Sequence, residues 1–220
     1  MAAPQDSIAA LVARAAEDYG FALDAEQCAA LARYAALVAK WQRVVNLTGT
    51  AEPLTFARAH IVDCLALVPW LEQGALLDVG SGAGLPGVVL ALADRARPIT
   101  LLEPRAKRAR FLTQACIELE LTHVAVAQQR VEDHRPATPY RYVVTRAFSA
   151  LAGFVQATRH LHAPATTLLA MTAAVPAAEL AALGAAAGSV AVHALRVPGY
   201  RVRHLVSIAC AGLPAAEAGA

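Results

Sequence analysis

Apolar residues recur at helical spacing over the first third of the chain and then give way to short unbroken apolar runs. Leu31, Tyr34, Val38, Trp41 and Val45 follow at three- and four-residue steps, the period that places side chains on one helix face. Asp24, with Gln27 three residues on, forms the pattern of a reciprocal helix cap. The stripe breaks at Asn46-Leu47-Thr48-Gly49-Thr50, and a second helical stretch is expected over residues 54–71.

At Gly74 the pattern changes. Ala75-Leu76-Leu77-Asp78-Val79 is a short apolar run ending in a glycine-rich turn, as expected of a strand buried on both faces. A helix follows from Pro86, then a strand over 99–103, a helix over 107–119 and strands over 124–127 and 142–145. Such strand–helix alternation predicts a doubly wound parallel sheet. Residues 151–161 and 179–187 read as helices, and 166–171 as a strand. The runs 190–197 and 203–209, about Pro198-Gly199, read as an antiparallel hairpin closing the sheet. The fold class is therefore α/β: a Rossmann-like, mostly parallel sheet behind a helical N-terminal extension. The extension covers 1–73, the cofactor-binding domain 74–212 and a frayed tail 213–220.

Composition narrows the function classes. The longest uncharged stretch, 161–178, is interrupted by His162, Pro164 and Pro176 and makes a poor membrane span. The N-terminus lacks a basic start and an apolar block, so a cytoplasmic location with no membrane partner is expected. Four scattered cysteines and seven histidines show no metal-ligand spacing, and no metal is expected. Net charge is only +2, but Arg105, Lys107, Arg108 and Arg110 cluster, as do Arg196, Arg201, Arg203 and His204.

The candidate chemistry lies at Asp78-Val79-Gly80-Ser81-Gly82-Ala83-Gly84. Between a strand and a helix, glycines let backbone turn sharply and approach a ligand, and the helix start is expected to offer free N–H groups. Pro86 suits a first helical turn. Glu103, ending the next strand, is placed to accept from ribose hydroxyls. Two cofactors fit. Gly82-Ala83-Gly84-Leu85-Pro86-Gly87 matches the dinucleotide fingerprint. The frame beginning at Asp78, an acid two residues before the first glycine, favours S-adenosylmethionine.

Beyond this loop the chain resembles the bacterial 16S ribosomal RNA guanine-N7 methyltransferases, the glucose-inhibited division protein B family. The likeness runs through Trp41, Asn46-Leu47-Thr48, His60-Ile61-Val62-Asp63, the glycine loop to Gly87 and Leu101-Leu102-Glu103. It continues through Lys107-Arg108, Phe111-Leu112, Arg130-Val131-Glu132, Arg146-Ala147-Phe148 and Arg203-His204-Leu205-Val206. The resemblance implies S-adenosylmethionine as cofactor, held by Asp78, Gly80, Gly82, Leu85, Glu103, Val131, Glu132 and Arg146. It implies Arg146 facing the methyl group and guanine, with an ion pair at the strand edge as the alternative; Arg203 and His204 are read either as meeting RNA backbone or as simply beginning the last strand. The implied partner is 16S RNA or a small-subunit particle, met by a monomer. Two departures stand out: Met171-Thr172 replaces the usual Lys-Gly pair, and Ala59 replaces a basic residue, with Arg58 one place earlier. Both remove positive charge where RNA is expected. A methyltransferase of this fold acting on another substrate, and a silent ribosome-docking protein, remain the alternatives. His60 and Asp63 share a helix face and are read as packing the extension onto the cofactor crevice.

Overall fold

The computed structural model describes residues 4–50, 52–146, 150–174, 177–183, 189–195 and 203–211. Its first third is helical, with α1 (Pro4–Asp18) and α2 (Ala25–Gln42) packed against each other. Asp24 and Gln27 form the expected reciprocal cap, each side chain accepting from the other's backbone N–H. Helix α2 stops at Gln42 because the Gln42 side chain turns back to accept from the N–H groups of Leu47 and Thr48. Val45 therefore lies beyond the helix, although it is still buried.

The second helical stretch is not uniform. Short α3 (Pro53–Phe56) passes into a π-helical turn over Ala57–Ile61 and then into α4 (Val62–Leu65). A π turn adds a residue to one turn of helix, often beside a functional site.

Strands β1 (Leu76–Val79), β2 (Ile99–Leu102), β3 (Val124–Ala127), β4 (Tyr142–Thr145) and β5 (Thr167–Thr172) are parallel. Between them lie α5 (Gly87–Ala93), α6 (Ala106–Glu118) and α7 (Leu151–Thr158), and α8 (Ala177–Leu183) follows β5. Strands β6 (Val190–Leu195) and β7 (Arg203–Ala209) are antiparallel to each other, and β7 is antiparallel to β5. The order is β3-β2-β1-β4-β5-β7-β6. The doubly wound sheet with an antiparallel closing hairpin is thus as expected. The hairpin turn at Pro198-Gly199, the end of the first hairpin strand and the second half of the 179–187 helix lie outside the described residues, as do Arg196, Arg201, Ala147, Phe148 and the tail.

Alternate strand residues feed two cores. Tyr142 and Val144 join Leu76, Leu101 and Leu169 on the face covered by α5, α6 and the N-terminal helices. Val143 joins Leu77, Val79, Leu102 and Leu168 on the face covered by α7. The extension thus shares one continuous core with the sheet, including Leu31, Tyr34, Phe56, Ile61 and Leu65. Arg97 stitches the linker in place by donating to the carbonyls of Glu72 (2.7 Å) and Gly74 (2.9 Å). The four cysteines are free thiols.

Pro86 precedes α5 rather than opening it, and Gly87 is the first helical residue. A Cβ at Gly87 would collide with the Leu101 side chain and the Asp78 carboxylate. Gly87→Ala is therefore expected to cost about 1–3 kcal/mol by overpacking, read as a lower urea midpoint with an unchanged slope.

Candidate active site

The carboxyl edge of the parallel strands opens into a cavity of about 540 Å³. Its lining comes from every layer: Gly80, Gly82 and Leu85 from the glycine loop, Leu47, Thr48 and Gly49 from the loop after α2, and Arg108 from α6. Further lining residues are Arg146, Phe154, Met171, Thr172 and Arg203.

The glycine loop is held from three directions. Gly80, Gly82 and Gly84 have φ of 74°, 57° and 92°, the left-handed region that residues with a Cβ enter at a cost. From below, Asp78 Oδ2 accepts from the Gly87 N–H at 2.9 Å. From β2, Glu103 Oε2 accepts from the Gly82 N–H at 3.0 Å, while Oε1 accepts from Arg105 N–H at 2.9 Å. From the extension, the buried Tyr34 hydroxyl donates to the Ala83 carbonyl at 2.6 Å.

The N–H groups expected to face a ligand are thus largely spent inside the protein. Those of Gly80 and Ser81 reach the Leu102 carbonyl, those of Gly84 and Leu85 reach that of Ser81, and that of Val88 reaches Gly84. The expectation of a free helix start is corrected. What the loop offers a ligand is close backbone approach: a Cβ at Gly80 would meet nothing within 4 Å.

Asp78 is fully buried, in register with Leu101 and Val144, and does not line the cavity. Burial pushes its carboxyl up to about 7, against the opposing pull of the Gly87 N–H. Its Oδ1 has no hydrogen-bond partner among the described residues.

At the far wall lies a charge cluster. Arg146, just past the end of β4, contacts Asp63 Oδ2 through Nη2 at 3.2 Å, and Arg203, opening β7, donates from Nε to Asp63 Oδ1 at 3.2 Å. His60 Nδ1 lies 2.8 Å from the same Nη2 of Arg146. A guanidinium only donates, so this imidazole accepts. Burial, and then the Arg146 charge, push His60 down to about 4.

Of the residues singled out from sequence, Gly80, Gly82, Leu85, Arg146 and Arg203 come together around the cavity. Asp78 and Glu103 stand behind the loop. Val131 is buried in the α7-side core, and Glu132 sits exposed beside it on a short 3-10 turn. His204, the strand neighbour of Arg203, does not line the cavity, as successive strand residues face opposite ways. The sequence reading missed Tyr34 as a loop support. Its signal was a hydroxyl on a core stripe, since a buried tyrosine hydroxyl needs a partner. It also missed the 47–49 loop as lining, having registered it as a break between helices and as part of the family likeness.

Residues 27–206 match the family described as GidB, rRNA small subunit methyltransferase G. The chain belongs to this family. It is a methyltransferase. Among curated relatives, ribosomal RNA small subunit methyltransferase G of Pseudomonas aeruginosa is 44% identical over 201 residues, covering 90% of this chain and 94% of that protein. The protein of the same name from Alkalilimnicola ehrlichii is 39% identical over 202 residues, covering 91% and 92%. Among solved structures, the N-methyltransferase NodS of Bradyrhizobium japonicum is similar with a TM-score of 0.51 and 16% identity, covering 70% of this chain and 96% of that one. A predicted O-methyltransferase of Agrobacterium tumefaciens gives 0.54 and 19%, covering 68% and 79%. These two likenesses speak to the fold alone. No described helix of the methyltransferase is long and apolar enough to cross a membrane. Among the described residues, no group of three or more His, Cys, Asp or Glu could hold a metal ion.

Asp78 makes a prediction of definite sign. Between the ordinary carboxyl value of 3.8 and about 7, the folded enzyme keeps a proton that the unfolded chain releases. This group therefore favours folding less as pH rises through that window. Asp78→Asn should remove the slope, so that its stability relative to wild type climbs from pH 4 to pH 7 in matched urea titrations. A difference that stays flat or falls would contradict a buried, proton-holding Asp78.

Proposed function

We propose that this enzyme transfers the methyl group of S-adenosylmethionine to N7 of a guanine in the decoding-region loop of 16S ribosomal RNA. The observation that carries the reading is the charge balance of the cavity. Arg108, Arg146 and Arg203 line it against two carboxylates, Asp63 and Glu179, and Glu179 is engaged with the Leu151 N–H. Exposed Arg58, Arg105, Lys107 and Arg110 lie on the same elements as the lining residues. A cavity with surplus positive charge suits a polyanionic substrate. The names of the curated relatives agree with it.

The residues present fit the cofactor. Gly80 offers open backbone to the cavity. Each Glu103 oxygen accepts one backbone N–H and retains a second lone pair for a ribose hydroxyl. Val131 and Glu132 would flank the adenine; Phe154, which belongs to the same core as Val131, also lines the cavity. S-adenosylmethionine, when bound, supplies an electrophilic methyl group on a sulfonium.

The protein's task is alignment. Guanine N7 is an acceptor with a free lone pair and no proton, so no general base is required. Holding the reacting atoms in line about 3–3.5 Å apart carries the rate. Because the guanine gains positive charge, Arg146 serves the reaction by donating to O6 or a phosphate, not to N7. Arg203 stands beside it for the RNA backbone, while Met171 and Thr172 give the wall an uncharged surface where the family resemblance implies Lys-Gly.

Transfer of labelled methyl to unmodified 16S RNA and to small-subunit particles tests this, with the product base identified. N7-methylguanine at one site is the expected product, and Arg146→Ala should lower kcat about a hundredfold. Labelling of metabolites or proteins instead would support the same fold acting on a different substrate. Cofactor binding without transfer to any ribosomal substrate would favour the docking role. Arg203→Ala should weaken RNA binding most at low salt and flatten its salt dependence by about one phosphate contact.

A further inference from the structure

We propose that His60 and Asp63 are positioning residues for methyl transfer, which fix the guanidinium of Arg146 from the helical extension and hold Arg203 beside it. The inference rests on the reading of Arg146 as the group that orients the incoming guanine.

Geometry is the first support. Both contacts to Arg146 fall on one nitrogen, Nη2, at 2.8 Å from His60 and 3.2 Å from Asp63. Nη2 thus carries a hydrogen bond to His60 and an ion-pair contact to Asp63. Among the described residues, the donors on Nη1 and Nε are left to a ligand in the cavity. A guanidinium held at one nitrogen by two side chains is restricted in the direction in which it presents its remaining donors, as recognition of a planar base or phosphate requires.

His60 is itself immobilised. Its ring meets Phe56 edge-on at 5.3 Å between centroids, and the π-helical turn carries it towards Arg146. Accepting at Nδ1 places the ring proton on Nε2. The downward shift to about 4 keeps the ring neutral at physiological pH. Here the histidine is a constant acceptor, not a proton carrier.

Asp63 is 5% exposed and gives one oxygen to each arginine. Burying charged groups is an inefficient way to fasten a helix to a sheet. The same junction already has Tyr34, Phe56, Ile61 and Leu65 buried in its core. Placement of the two arginines accounts for what adhesion does not.

The test compares wild type, His60→Leu, His60→Asn and Asp63→Asn for methyl transfer to small-subunit particles, cofactor affinity by calorimetry and melting temperature. His60→Leu should lower kcat about tenfold and leave the cofactor Kd within about twofold. His60→Asn, whose Oδ1 replaces Nδ1 as acceptor, should recover most of the rate. In an Arg146→Ala background His60→Leu should cost nothing further, since residues acting through one group are not additive. Asp63→Asn, provided its melting temperature shows a folded protein, should lose at least as much kcat as His60→Leu. Equal losses in His60→Leu and His60→Asn, or the same loss with and without Arg146, would assign His60 to packing and overturn the proposal. A wild-type enzyme that methylates no ribosomal substrate would instead overturn the functional reading beneath it, before any variant is compared.

Discussion

A glycine turn in the left-handed region is a weak structure unless its surroundings hold it, and here three elements do so. The buried carboxyl group of Asp78 fixes the first turn of α5, Glu103 ties Gly82 to the end of β2, and Tyr34 reaches the Ala83 carbonyl from the extension. Each anchor is inaccessible to solvent or nearly so, where a hydrogen bond is difficult to replace with water. The cavity has a definite floor because this loop cannot drift. Everything that faces it, from the 47–49 segment to Arg146, is positioned relative to that floor.

The helical extension therefore belongs to the site as much as the sheet does. It supplies Tyr34 to the loop, the Gln42-capped segment to the rim, and His60 and Asp63 to the arginines. In return Arg108 donates to the Asn46 carbonyl at 3.1 Å and joins that rim to α6. The sheet contributes strand ends, where side chains leave the ladder and point into open space. The extension turns those ends into a walled, charged recess open to solvent.

Much of this was legible from residue order alone. A period of three and four residues exposed α2, and Asp24 with Gln27 exposed its start. Short apolar runs between helices exposed the parallel strands, and the glycines with Arg146 and Arg203 pointed to the cavity. What stayed hidden depends on which elements abut. Nothing along the chain says that Asp63 meets both Arg146 and Arg203, because the three share no local period. Nor does sequence show that Asp78 is sealed within the sheet, or that loop N–H groups are consumed by neighbouring carbonyls. The π turn was read as ordinary helix because local propensity there permits a plain helix.

Strand β7 has a consequence for how the enzyme comes into being. It lies between β5 and β6, and β6 pairs with β7 alone in the described sheet. A chain emerging from synthesis makes β6 first, yet β6 has no place to dock until β7 exists. Because β7 runs against its neighbour, its first residue, Arg203, arrives at the carboxyl edge and meets an aspartate 140 positions earlier. Until then Arg146 and Asp63 face each other without their third member, and β5 is an open edge able to recruit another strand. A nascent chain therefore acquires its fold from front to back but its complete set of cavity charges only at the end. A copy cut short before Arg203 would lack that charge and leave β5 an adhesive edge.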